Sequence, residues 1–291
     1  LTVTSDTTWT IASLLQWATD DFRARGIESP RLDAEVLLGH ALGKTRTELV
    51  IDMLKPLAPP ELGRFRELVK RRRAREPVAY LVGQREFYGR MFRVDARVLV
   101  PRPDTETLVE VALARTTGVS MSARVLDACT GSGCVAITLA RERPTTEVIG
   151  TDMSADALVV AEGNALRLGA YNASFVRCDL FGDLGKFDAI TANPPYIASG
   201  EVDRLPPDVA RFEPRVALDG GTDGFDIASR IVSGAKAHLR PGGVLAIEVG
   251  HGQADRAATL FREAGFDDVQ RMRDYARIER VVSGVWKGGD E

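Results

Sequence analysis

A short apolar run, Arg124-Val125-Leu126-Asp127-Ala128, leads directly into Cys129-Thr130-Gly131-Ser132-Gly133 and then into a helical pattern over residues 134–141. No other feature constrains the chain as much. Strand, glycine turn and helix N-terminus in that order build a site where backbone N–H groups and the helix dipole meet polar ligand groups. Gly131 and Gly133 let a ligand come close to the main chain. The next strand, residues 145–150, runs on to Asp152. That acid lies about 20 residues past the second glycine, the spacing at which a carboxylate reaches ribose hydroxyls. Any nucleoside cofactor satisfies this arrangement. Gly131-x-Gly133-x-x-Ala136 also fits a dinucleotide fingerprint, so hydride transfer stays open.

From Pro101 onward strands alternate with helices, which predicts an α/β domain with a doubly wound, mostly parallel, Rossmann-like sheet. Residues 174–178, 187–192 and 244–249 supply further strands, the last after the turn Pro241-Gly242-Gly243. Residues 268–272 and 280–286 read as a closing hairpin-like pair. Residues 1–83 differ in kind. Ile11, Leu14, Leu15, Ala18 and Phe22 follow helical spacing. Ser29 and Pro30 then open a second helix that carries Leu32, Val36, Leu37 and Leu42 and stops at Gly43, with Ser29 as the capping residue. A short helix over 47–54 and another after Pro59-Pro60 complete a small all-helical N-terminal domain. Residues 84–100, with Gly89-Arg90 at the turn, read as a β-hairpin linker, and residues 101–291 as the catalytic domain.

Asn193-Pro194-Pro195-Tyr196 follows the strand over 187–192 and reads as an amide-nitrogen trap. A planar amino group conjugated to a carbonyl or an aromatic ring is a poor nucleophile because its lone pair is delocalised. An enzyme that alkylates it must accept both N–H hydrogens. The Asn193 side-chain oxygen can take one and the Pro194 carbonyl the other. Pro195 keeps Pro194 extended, and Tyr196 offers a flat face to the planar group. Asn-Pro and Pro-Pro also occur in ordinary turns, but here the tetrapeptide stands at a strand carboxyl end, as the glycine turn does. In an open α/β sheet such ends converge on one crevice.

Charge and composition exclude several classes. A net charge of −3 disfavours a broad nucleic-acid-binding surface. Arg64, Arg66, Lys70, Arg71, Arg72, Arg73 and Arg75 crowd one helix, which suits a solvated face and a helix C-terminus better than a docking patch for RNA or an acidic partner. No apolar run reaches the ~20 residues of a membrane span. The amino-terminal residues also lack a basic-then-apolar leader, which predicts a cytoplasmic protein. Cys129, Cys134 and Cys178 read as reduced thiols, and neither they nor His40, His238 and His251 show metal-ligand spacing.

Pro101-Arg102-Pro103-Asp104-Thr105-Glu106, the glycine loop, Asn193-Pro194-Pro195-Tyr196, Phe212-Glu213-Pro214-Arg215 and Glu248-Val249-Gly250-His251-Gly252-Gln253 occur in one order and spacing. Together they resemble the bacterial release-factor glutamine methyltransferase family over nearly the whole chain. The resemblance implies transfer of a methyl group from S-adenosylmethionine, leaving S-adenosylhomocysteine, to the glutamine of the Gly-Gly-Gln motif in peptide chain release factors. It implies that Cys129, Thr130, Gly131, Ser132 and Gly133 lie along the methionine part of the cofactor, with Asp152 on its ribose, Asp179 and Leu180 at the adenine, and Asn193 near the methyl group. Asn193, Pro194 and Tyr196 are then catalytic, and with Pro195 they bind substrate. Arg102, Asp104 and Glu106 resemble a lid segment, with Asp104 and Thr105 also able to cap a helix. Asp219, Asp223 and Asp226 shape the substrate pocket or cap a helix. The glycine loop of the family begins Asp-Leu-Gly, whereas Asp127-Ala128-Cys129 stands here. Cys129 must therefore take a backbone angle that glycine reaches more cheaply, or the turn must shift. A nucleic-acid amino-methyltransferase shares the trap, a dehydrogenase shares the glycine loop, and a non-enzymatic adaptor for release factors remains a third alternative.

Overall fold

The computed structural model describes residues 9–116 and 123–288, and the chain divides into two compact units, Leu1–Gly83 and Gln84–Glu291. The first contains helices α1 (Ile11–Ala24), α2 (Pro30–Leu42), α3 (Arg46–Ile51), α4 (Pro59–Arg73) and α5 (Val78–Val82). Helix α1 begins in a capping box. Ser13 N donates to Thr10 Oγ1 at 3.2 Å, and Thr10 N donates to Ser13 Oγ at 2.9 Å. At α2 the expected side-chain cap from Ser29 is absent, because the ψ of 59° takes that residue out of the extended conformation that aims a hydroxyl back at the helix. Pro30, with φ preset for a helix, makes the start.

The periodic residues Ile11, Leu14, Leu15, Ala18 and Phe22 bury against Leu37, Leu38, Phe65 and Val69, so this unit has its own apolar core. Leu32, expected among the buried positions of α2, is 46% exposed. The basic end of α4 is largely consumed inside the unit. Arg72 pairs with Asp33 at 2.8 Å, Arg73 with both carboxylate oxygens of Asp21, and Arg71 with Glu76, while Arg75 donates to the Arg25 and Gly26 carbonyls. A run of cations in the sequence is therefore a set of internal anchors in the fold.

The second unit opens with the hairpin β1 (Gln84–Phe87) and β2 (Arg90–Arg93). There follow α6 (Glu106–Arg115), β3 (Arg124–Ala128), α7 (Cys134–Glu142), β4 (Glu147–Asp152), α8 (Ala155–Leu168), β5 (Ala173–Arg177), β6 (Phe187–Ala192), α9 (Pro207–Ala210), α10 (Asp226–His238), β7 (Leu239–Glu248), α11 (Ala254–Glu263), β8 (Asp267–Arg273) and β9 (Glu279–Trp286). The hairpin is stitched to α8 through Asn164, whose side chain accepts from Arg93 N and donates to Arg93 O.

Seven strands form one sheet in the order β5-β4-β3-β6-β7-β9-β8. β9 runs antiparallel to both its neighbours, and the pairs on the other side, from β7 to β5, are parallel. Both faces are covered, as a parallel sheet requires. Along β3, Leu126 packs into a cluster with Ile231, Val232 and Phe261, while Val125 packs into another with Leu108, Ile137 and Leu139. β7 begins earlier than the apolar run suggests. Pro241-Gly242-Gly243, read as a turn before the strand, lies within it as an irregularity between the pairings Phe187↔Leu239 and Ala189↔Val244. Proline has no N–H for the ladder and Gly242 has φ +82°, so the extra residues bulge out and pairing resumes. From β3 the winding goes outward through β4 to β5, then returns to β6 on the other side. The crevice at that reversal is where an open α/β sheet binds ligands.

Candidate active site

The carboxyl ends of β3, β4 and β6 border a cavity of ≈ 450 Å³. That volume falls in the range of small-molecule sites. Among its lining residues are Cys129, Thr130, Gly131, Ser132, Asp152 and Asn193. The turn after β3 is held from beneath by Asp127, which is 1% exposed. It accepts from Thr130 Oγ1 at 2.6 Å and from Thr191 Oγ1 at 2.8 Å. Burial pushes the Asp127 carboxyl up to about 6, against the pull of those two hydroxyls. Cys129 does adopt the left-handed angle, φ +58°, at a cost of roughly 1–2 kcal/mol for a residue with a side chain. Its thiol is held neutral by burial, so the residue serves as part of the wall and not as a nucleophile. Gly131, at φ +55°, has open space where a side chain would project, which leaves its backbone accessible from the cavity. Asp152 accepts from Gly131 N through Oδ2 and from Ser154 N through Oδ1, both at 2.9 Å.

Gly133 does something other than expected. A Cβ there would lie 2.8 Å from Ile137 Cδ1 and 3.1 Å from Ala161 Cβ, so the residue lets α7 pack against α8 and does not line the cavity. Asp179 and Leu180 do line it. The Asp179 carboxylate, half exposed, is paired with Arg230. Leu180 has φ +53°, and its carbonyl accepts from Thr151 Oγ1 at 2.5 Å.

Asn193 and Pro195 reach the cavity wall, whereas Pro194 is buried and Tyr196 is half-buried, and neither is among the lining residues. The motif is clasped by glycines from the following loop. A Cβ on Gly220 would sit 2.5 Å from Pro195 O, and one on Gly224 would sit 2.4 Å from Tyr196 O. Gln253 Nε2 donates to that same Tyr196 carbonyl at 2.9 Å, and Ile197 bridges to Asp219. Burial pushes the Tyr196 phenol up to about 12, so its ring is neutral at working pH.

Every polar residue of Arg102-Pro103-Asp104-Thr105-Glu106 finds a partner in this unit. Arg102 grips both oxygens of buried Glu213 at 2.7 and 2.8 Å. Asp104 pairs with Arg280 at 3.1 Å, and Glu106 accepts from Tyr88 N at 2.8 Å. Thr105 stands at the N-cap of α6 without making a capping bond, so the expected capping role is corrected. Its hydroxyl instead accepts from Asn193 Nδ2 at 3.2 Å. Of the three loop acids, Asp219 lines the cavity and holds Ser199 Oγ at 2.6 Å. Asp223 accepts from Phe225 N, and Asp226 lies in the first turn of α10. Sequence reasoning quoted Glu248, the buried last residue of β7, without giving it a role of its own, and missed the clasp by Gly220 and Gly224. An acid closing the apolar run 244–247 was the available signal for the first.

Residues 13–83 match the PrmC N-terminal domain, and residues 104–205 match the methyltransferase small domain. The release factor glutamine methyltransferase of Geobacter sulfurreducens is 44% identical over 278 residues, which cover 95% of this chain and 96% of that protein. This chain belongs to the release factor glutamine methyltransferase family. A second family member, from Rhodopirellula baltica, is 43% identical over 287 residues, 96% of this chain and 97% of that one. The fold extends further. The hMettl16 catalytic domain, solved with the MAT2A 3′UTR hairpin 6, superposes with a TM-score of 0.59 at 16% identity, covering 75% of this chain and 82% of that chain.

The protein is a methyltransferase that uses S-adenosylmethionine, and the residues present suit that cofactor. The cavity combines an accessible glycine backbone, a carboxylate at a strand end and a neutral wall that includes Leu99, Val135, Leu180 and Ile227. The hydride-transfer and adaptor readings are set aside by family membership. The sheet agrees, since the antiparallel β9 between β7 and β8 departs from the dinucleotide-binding order.

Proposed function

We propose that this protein methylates the side-chain amide nitrogen of the Gly-Gly-Gln glutamine in peptide chain release factors, with Asn193 and Pro194 as the groups that hold the amide. The observation that carries this reading is the placement of Asn193 on the same cavity wall as Gly131 and Asp152. S-adenosylmethionine supplies an already activated methyl group, so a dedicated base is unnecessary. The task of the chain is then to orient the amide nitrogen, which is delocalised and weakly nucleophilic. The Asn193 oxygen and the Pro194 carbonyl accept its two hydrogens, and both interactions strengthen as positive charge builds on the nitrogen. Asp152 takes the ribose hydroxyls, and Cys129, Thr130, Gly131 and Ser132 border the methionine portion. Asp179 and Leu180 border the adenine.

The helical unit reads as the part that recognises the release factor, because the trap alone cannot select one glutamine among thousands. Stable nucleic-acid binding is not expected, given the net charge of −3 and the internal pairing of Arg71, Arg72 and Arg73. No helix among the described residues is long and apolar enough to cross a membrane. A release-factor substrate and three free thiols fit action in the cytoplasm.

The test is single-turnover methylation of a release-factor domain containing Gly-Gly-Gln, with its glutamine-to-alanine version and separate DNA and RNA substrates as controls. Labelling confined to the intact Gly-Gly-Gln domain is the expected result. Equal labelling of the alanine version, or labelling of nucleic acid alone, would overturn the assignment.

A further inference from the structure

The 3₁₀ turn Pro103–Thr105 sets Thr105, 2% exposed, beside the motif asparagine. The Thr105 oxygen accepts from Asn193 Nδ2 at 3.2 Å, and its own hydrogen remains to be placed. Beside it lies Glu248, 1% exposed, which follows Ile247 as Asn193 follows its strand partner Ala192, and the Thr105 hydroxyl and the Asn193 amide both favour its charged form. Glu248 Oε2 has no hydrogen-bond partner among the described residues. A carboxyl group so placed is costly, and an apolar residue ending β7 would be cheaper to bury. An acid there calls for a use.

We propose that Glu248, acting through the Thr105 hydroxyl, is a positioning residue that fixes which end of the Asn193 amide faces the substrate. This rests on reading Asn193 as the amide trap. The two ends of a side-chain amide are nearly isosteric, yet one accepts and the other donates. Only the oxygen can take a substrate N–H. An ionised Glu248 can only accept, so the Thr105 hydrogen turns toward it. The Thr105 lone pair then draws the Asn193 NH₂, and Oδ1 is left for the cavity. A protonated Glu248, or a glutamine in its place, puts a donor against Thr105. The hydroxyl can then turn its hydrogen to the asparagine oxygen. The amide flips, and NH₂ meets NH₂ across the site.

The groups that face Glu248 leave it as the switchable member. Burial pushes its carboxyl up to about 7, opposed by Thr105, Arg280 and Asn193 and reinforced by Asp104. Arg280 is shared with Asp104 and Asp274, each at 3.1 Å. Tyr196 beyond β6 and Cys134 on α7 are both held neutral, pushed up to about 12 by burial. The working, ionised form therefore grows as pH rises through the neutral range, and turnover should rise with it.

The experiment uses the full-length protein with a Gly-Gly-Gln release-factor domain. It compares Glu248→Gln, Thr105→Val and Thr105→Ser with the parent from pH 6 to 9 at saturating S-adenosylmethionine, and cofactor Kd is measured in parallel. Glu248→Gln should lower kcat at least tenfold and flatten the rise with pH, while cofactor Kd stays within twofold. Thr105→Val should lose a similar factor, Thr105→Ser should recover most of it, and adding Glu248→Gln to Thr105→Val should cost nothing more. A Glu248→Gln kcat within twofold of the parent with the same pH profile sinks the proposal, as does a loss matched by an equal loss of cofactor affinity. If Glu248→Gln does not melt cooperatively, the contrast between Thr105→Val and Thr105→Ser decides alone, and equal activity of those two overturns the relay. Asn193→Ala separates the two levels. Near-normal turnover there removes the trap itself, whereas an inactive Asn193→Ala beside a normal Glu248→Gln removes only the relay.

Discussion

The Gly131 amide donates to Asp152 Oδ2 at 2.9 Å, so the turn that ends β3 and the acid that ends β4 are joined into one wall. Ser154 N engages the other oxygen, which fixes the carboxylate plane and still leaves a lone pair on each oxygen for a ligand.

The first prediction concerns this acid. Charge-assisted hydrogen bonds contribute roughly 1.5–3 kcal/mol each. Asp152→Ala should weaken S-adenosylmethionine binding at least tenfold in calorimetry. Unchanged affinity in Asp152→Ala would remove Asp152 from the cofactor site.

The second prediction separates a trap from a turn. Asn193→Ala deletes an acceptor whose value rises as the amide nitrogen gains charge, so the loss should appear in turnover, by about a hundredfold or more. Tyr196→Phe keeps the flat ring and should cost less than Tyr196→Ala. The 3.2 Å bond from the Asn193 side chain to Thr105 is long and its loss costs the fold little, so Asn193→Ala should still melt cooperatively near the parent temperature. Near-normal turnover would reduce the motif to a loop.

Much of this site was legible because it depends on local order. Strand β6 is a buried apolar run that ends where Asn193 begins, and the glycine turn follows β3 directly, so the apolar runs and turn chemistry placed both motifs at strand carboxyl ends. What stayed hidden depends on partners distant in sequence. The role of Gly133 is set by Ile137, Ala161 and Phe175, which three different elements bring together. Thr105 looks like a helix cap because threonine before a helix usually is one, and its actual partner lies 88 residues away. The same holds for Arg72 and Arg73 of α4, whose anions sit on α2 and α1. Pro241-Gly242-Gly243 misled for a local reason, since the pattern that marks a turn also marks a bulge.

The third prediction concerns the helical unit. It has its own apolar core, and among the described residues the cavity that holds Asp152 and Asn193 is lined by the other unit alone. Removing residues 1–83 should therefore leave cofactor binding in place and abolish methylation of an intact release factor. Methylation by the truncated protein at the parental rate would end the recognition role.

The last prediction tests the clasp on the motif. Gly224 has φ +77°, and a Cβ there would lie 2.4 Å from the Tyr196 carbonyl oxygen and 3.2 Å from Ala198 N. Backbone atoms cannot swing aside as a flexible side chain can, so Gly224→Ala must shift the segment that follows Pro195. The left-handed angle alone costs roughly 1–2 kcal/mol with a side chain, and forced overlap typically adds 1–3 kcal/mol. Thermal unfolding should shift down accordingly. Asn193 sits three residues before the displaced carbonyl, and Gln253 loses its 2.9 Å bond to that oxygen if it moves. Turnover should therefore fall more than cofactor affinity, because Asp152 and the β3 turn stand on other strands. Gly163→Ala is the control, since that helical position has open space around it. A Gly224→Ala protein as stable and as active as Gly163→Ala would show that the loop yields freely and that the motif is not held by it.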